Sequence, residues 1–195
     1  MSMITDLSTS TSTAIMVGSS NIDYYKSVFV DEACFSFYHP KSSSANIIVL
    51  GAITSDGIAN LSLISPQTGA APKKSKLRGD DYVDFLQLLM NLLKENGMGE
   101  RYLVMDNAAI HKTQKVKDAV EKEGFHIHYL PHYSSFLNPM AGFWSKLKAG
   151  VKRHLLTLDD TLLLRIIDSA NQISAQDCQG WIRHLLSFMP CCING

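Results

Sequence analysis

The sequence predicts an α/β fold, a mixed five-stranded sheet flanked by helices, on three observations. Apolar, strand-like runs succeed one another with short breaks over 27–37, 46–54 and 58–65. Two further apolar runs, 102–105 and 125–130, alternate with stretches of helical periodicity. Two of the runs carry an acid in apolar company: Asp31 within VFVDEACF, and Asp106 directly after YLVM.

In chain order, residues 1–20 are rich in Ser and Thr, lack a sustained period, and read as a mobile lead-in to a domain over 21–195. The first strand is expected over 27–37, with Val28, Phe29, Val30, Phe35 and Phe37. Pro40 and three consecutive serines mark 38–46 as a loop. The second strand, 46–54, is apolar on both faces, and Ser55-Asp56-Gly57 signals a hairpin into the third. Residues 66–79 hold two prolines, two glycines and the basic run Lys73, Lys74, Lys76 and Arg78. They read as a solvated loop, with phosphate contact as the other reading.

Asp80 or Asp81 is expected to cap a helix whose inward residues are Tyr82, Phe85, Leu86, Leu89 and Leu93, ended by Asn96-Gly97. After the fourth strand, a short polar helix over 113–123 turns Val116, Ala119 and Val120 inward and stops at Gly124. The fifth strand, 125–130, sets His126 and His128 on one face; exposed strand positions explain them as well as a metal site does, and are adopted. Asn138 as cap with Pro139 behind it opens a helix striped by Met140, Phe143, Trp144, Leu147 and Val151. Lys146, Lys148, Lys152 and Arg153 crowd its other faces, where they suit either the helix dipole or a nucleic-acid backbone. Asp159 or Asp160 caps a further helix with Leu162, Leu163, Ile166, Ile167 and Ala170 inward, and a last amphipathic segment runs from Cys178 to about Met189. The order β-β-β-α-β-α-β-α plus C-terminal helices is the plan of a ribonuclease-H-like fold.

At 195 residues, 46% hydrophobic and 18% charged, the chain suits one globular domain rather than a disordered one. Eighteen basic and eighteen acidic residues cancel, so any DNA contact must come from local clusters. Cys34, Cys178, Cys191 and Cys192 form no CxxC pair and read as reduced thiols. With no apolar run long enough to span a membrane and no signal-peptide pattern, an intracellular location is expected, nuclear in a eukaryote.

In this plan the strands bearing Asp31 and Asp106 are neighbours at the sheet centre, so the two carboxylates can share Mg²⁺ or Mn²⁺, which take hard oxygen ligands. Two such ions serve both the attacking and the leaving oxygen of a phosphodiester, and the second needs a further carboxylate, normally from a helix facing the strand ends.

The segments VFVDEACF, YLVMDNAAIHK and HYLPHYSSFLNPMAGFW together resemble the catalytic domain of mariner-superfamily DDE transposases over about residues 27–154. The resemblance implies metal-dependent DNA cleavage and strand transfer, with Asp31 and Asp106 as metal ligands, water and then a DNA 3′-hydroxyl as nucleophiles, DNA as partner, and self-association as a possibility. It implies a third acid within Asn-Pro-x-Glu, with 34 residues between it and the second. Residues 107–140 supply that spacing, and the position falls on Ala141. No Asp or Glu occurs between Glu123 and Asp159 to replace it. The family's helix-turn-helix modules have no counterpart in the roughly 26 residues before the first strand, so self-directed transposition by this chain alone is not expected. The 38–46 connection is also shorter than the hairpin insertion of many relatives. The expectation is a transposase-derived DDE domain crippled by Ala141; the alternative is a non-catalytic DNA-binding or interaction module on the same fold.

Overall fold

The computed structural model describes residues 15–16, 21–39, 42–64, 77–131, 134, 137–153 and 162–193. The lead-in proposed for 1–20 lies outside them except for Ile15–Met16, which ladders with Asn21–Ile22. The run Lys73, Lys74 and Lys76, and the caps proposed at Asp159 or Asp160, also lie outside.

Five strands make the sheet: β1 (Val28–His39), β2 (Ser42–Thr54), β3 (Gly57–Ile64), β4 (Tyr102–Met105) and β5 (His126–Tyr129). Their spatial order is β3-β2-β1-β4-β5. The first three form an antiparallel meander, and β4 and β5 join parallel to β1 and β4. The sheet is therefore mixed, with the acid-bearing strands β1 and β4 side by side. The hairpin joins Thr54 to Gly57, whose φ of 132° is one that glycine adopts without strain.

One expectation fails here. Residues 38–46 are mostly strand: the β1–β2 ladder continues through Ser36↔Asn46 and Phe37↔Ala45 to His39↔Ser42. Serines lower strand propensity, but a long apolar hairpin already in register carries them along through backbone hydrogen bonds.

The alternation of β1 splits the core in two. Val28 and Val30, with Leu50, Ala52, Leu103 and Met105, face α1 (Gly79–Glu95) and α2 (Gln114–Lys122). Phe29, Ala33 and Phe35, with Val49, Ile53 and Val104, face α3 (Met140–Lys152), α4 (Leu162–Ala170) and α5 (Ala175–Ile193). All five inward residues expected in α1 and all five expected in α3 are buried. The cap of α1 differs from expectation: it is Arg78, and Asp80 and Asp81 fall in the first turn, where carboxylates favour the helix dipole. The start of α3 is one residue later than expected, at Met140 with Pro139 in the cap position, but Asn138 still serves that end: its side-chain oxygen accepts from Met140 N–H at 3.0 Å.

In α4 the expected stripe is rotated. Leu163 (47% exposed) and Ile167 (41%) face outward, while Ile166 and Ser169 are buried. The cause is close approach to α3: a Cβ on Gly150 would stand 2.8 Å from Ser169 Oγ. That contact draws the serine inward and turns Leu163 and Ile167 away.

Candidate active site

The β1–β4 ladder ends at Val30↔Met105, so Asp31 and Asp106 are the next residue on each strand. Parallel strands in register carry these two carboxylates to the same end of the sheet. The sequence reading of the pair as neighbours follows from this register.

Asp31 is gripped from α3. Its Oδ2 accepts from Asn138 Nδ2 at 3.1 Å and from Trp144 Nε1 at 3.2 Å, and its Oδ1 accepts from Glu32 N–H at 2.8 Å. Burial pushes its pKa up to about 6, helped by the negative charges of Glu32 and Asp106 and opposed by its hydrogen bonds. Asp106 is more open, its side chain 46% exposed. Its Oδ1 lies 2.7 Å from His111 Nδ1 and accepts from Ala108 N–H at 3.0 Å. The His111 hydrogen bond leads in holding Asp106 below the ordinary carboxylate value. Two acids side by side are thus driven in opposite directions.

His111 is fully buried, and its Nε2 lies 3.0 Å from Glu32 Oε2. Both ring nitrogens lie against carboxylate oxygens, an arrangement that favours the doubly protonated ring. Burial works against that charge, but the bonds to Asp106 and Glu32 prevail and raise the pKa to about 9. The Tyr82 ring stacks on the imidazole with centroids 4.6 Å apart. Sequence reasoning missed His111, Glu32, Asn138 and Trp144 as site residues. The available signal is a histidine five residues after Asp106; for Asn138 and Trp144 the sequence signals only a cap and a core position.

Ala141 lies exposed in the first turn of α3. It is three residues after Asn138 and three before Trp144, the two residues whose side chains reach Asp31. Among the predicted lysines, Lys146 is paired with Asp177 of α5 at 2.6 Å, and Lys148 Nζ stands 5.5 Å from the centre of the Phe35 ring. Lys152 and Arg153 are exposed where α3 ends. His126 is exposed as expected, but His128 is not: it is half-buried and meets the Tyr24 hydroxyl at 3.3 Å. Among the described residues, no group of three or more His, Cys, Asp or Glu side chains converges to hold a metal ion. The carboxylates at the strand ends are hard oxygen donors of the right kind, and they stop at two. No helix among the described residues is long and apolar enough to cross a membrane.

Comparison with known proteins agrees with this geometry. The chain has the fold of the catalytic domain of Mos1 mariner transposase, with TM-score 0.72 at 15% identity, covering 88% of this chain and 82% of that one. A second structure of that domain, with raltegravir and Mn, gives 0.70 at 16% identity, covering 88% and 82%. Against the Mos1 paired-end complex with left transposon end the score is 0.71 at 13% identity, and this chain covers 88% of itself but 55% of that longer protein. No curated protein sequence matches the chain. The family model for DDE superfamily endonucleases matches residues 39–163, which hold Asp106, the Ala141 position and α3, and starts beyond Asp31. A match over most of the chain, with the fold of a transposase catalytic domain around it, makes this chain a member of the DDE superfamily endonucleases.

Proposed function

We propose that this chain is a transposase-derived DNA strand-cleavage domain that keeps two of its three catalytic acids and is catalytically impaired by the loss of the third. The observation that carries the reading is the placement of Ala141, exposed between Asn138 and Trp144, whose side chains both reach Asp31. A carboxylate at 141 would project toward the Asp31 end of the sheet; alanine offers no oxygen there.

Asp31 and Asp106 would hold Mg²⁺ or Mn²⁺, in line with the Mos1 domain having been determined with both Mn and Mg. A bound ion of this kind supplies charge for the phosphodiester oxygens and lowers the pKa of water. Asn138 and Trp144 orient Asp31, and His111 orients Asp106. The missing carboxylate removes charge stabilisation worth several kcal/mol, which slows strand cleavage by roughly 10³-fold or more. DNA is the expected partner, as in the Mos1 paired-end complex, with Lys152 and Arg153 meeting phosphates.

Nicking of supercoiled plasmid with Mg²⁺ or Mn²⁺ tests this, comparing the protein with Ala141→Glu and with Asp106→Ala in each background. An inactive parent and an active Ala141→Glu form are expected. A parent that already nicks through Asp106 would overturn the impairment. If both are silent and the protein still binds DNA in a salt-dependent way, the second reading, a binding module using the exposed Lys152 and Arg153, takes its place.

A further inference from the structure

Among the described residues the buried polar side chains are Ser27, Thr54, His111 and Ser169, and of these His111 alone is ionisable. A fully buried imidazole costs free energy unless both nitrogens are satisfied. Here Nδ1 meets Asp106 and Nε2 meets Glu32. The ring is held from other sides as well: Tyr82 stacks on it, and the Tyr129 hydroxyl donates to the His111 carbonyl at 2.8 Å. The histidine is therefore the rigid member, and Asp106, on the turn after β4, is the one whose rotamer it sets.

His111 Nδ1 lies 2.7 Å from Oδ1 of Asp106, which also accepts from Ala108 N–H, and 3.4 Å from the Asp106 carbonyl oxygen, so the ring holds both the side chain and the backbone of that residue. Glu32 neighbours Asp31 in β1, but strand alternation sends its side chain to the opposite face, where it meets His111. A chain Glu32–His111–Asp106 thus links the interior of β1 to the turn after β4, beside the two candidate ligands.

We infer that Glu32 and His111 are positioning residues: they fix Oδ1 of Asp106 inward and so offer Oδ2 to a divalent cation, without touching the cation themselves. This rests on the reading of Asp31 and Asp106 as the metal-holding pair. Outer partners of this kind typically change metal affinity 10- to 100-fold.

The amide of asparagine at 111 reproduces the Nδ1 donor and that of glutamine reproduces Nε2, so two variants separate the contacts. Mn²⁺ binding, followed by the electron paramagnetic resonance of the free ion, is measured beside thermal unfolding for the wild-type protein, His111→Asn, His111→Gln, Glu32→Gln and Asp106→Ala. Expected is a loss of Mn²⁺ affinity of about 10-fold or more in His111→Gln, with His111→Asn staying within about threefold of wild type and Glu32→Gln falling between, while the two His111 variants lose similar thermal stability. If His111→Asn and His111→Gln lose affinity equally, in proportion to stability, the pair is merely structural and the inference falls. Unchanged affinity in all the His111 and Glu32 variants, with Asp106→Ala impaired, overturns it as well. Should either His111 variant fail to fold, Glu32→Gln decides alone: wild-type affinity sinks the relay. Wild-type protein that binds Mn²⁺ no better than Asp106→Ala overturns the metal-pair reading itself, and the relay with it.

Discussion

Gly51 faces Asp31 across the β1–β2 ladder, and substituting it by alanine tests how tightly the site is packed. A Cβ there would stand 2.7 Å from Trp144 Cη2, 3.1 Å from Cζ2 and 3.2 Å from Met140 Cε. The indole has little freedom to retreat. It is buried, it meets Phe35 and Phe143 edge-on, and its Nε1 is hydrogen-bonded to Asp31. Forcing a methyl into such a core typically costs about 1–3 kcal/mol. For a chain of this size that lowers Tm by about 2–4 °C per kcal/mol, so a drop of about 2–12 °C is expected by circular dichroism. Trp144→Phe removes the ring that carries Cη2 and Cζ2 and makes room for the methyl. The double variant should accordingly lose about 1 kcal/mol less than the sum of the single losses. Additivity within about 0.5 kcal/mol would refute the claim that Gly51 is small because Trp144 must reach Asp31.

Three other outcomes follow from the same structure. His111 is raised to about 9 from an ordinary value near 6.5, so its contribution to stability is complete below pH 6.5 and is lost as pH rises toward 9; denaturant unfolding against pH should fall over that window, and His111→Gln should flatten it. Ser174 and Asp177 cap α5 reciprocally, Asp177 N–H donating to Ser174 Oγ and Ser174 N–H to Asp177 Oδ2, so Ser174→Ala should cost about 1 kcal/mol in a thermal melt. Replacing Lys152 and Arg153 by glutamine should weaken DNA binding and reduce its salt slope by about 2, whereas Lys146→Gln, which breaks the pair with Asp177, should affect stability more than affinity.

Much of this was legible in the sequence because hydrophobic period is a strong signal. The stripe Met140, Phe143, Trp144, Leu147, Val151 is the buried face of α3 in full. Strand-like runs bearing Asp31 and Asp106 do pair, and their register brings the acids to one end of the sheet. What stayed hidden depends on partners far along the chain. The serines of 42–46 join a strand because β1 already runs opposite them. Leu163 and Ile167 turn outward because Ser169 must lie against Gly150. His111 is 79 residues from Glu32 and 29 from Tyr82, and nothing local marks it as the buried group that Glu32 and Asp106 both reach.

The exposure of Ala141 has a consequence for how such a chain changes over generations. Ala141 is exposed, and a substitution at an exposed helix position usually changes stability by no more than about 0.5 kcal/mol. Gly51 lies against Trp144 and Gly142 against Trp181, so larger residues at either position are penalised through stability, whatever chemistry the domain performs. Selection on the folded state is blind at 141 and watchful at its neighbours. On the function proposed above, position 141 is therefore where a carboxylate can be lost, or regained, while the scaffold around it stays intact.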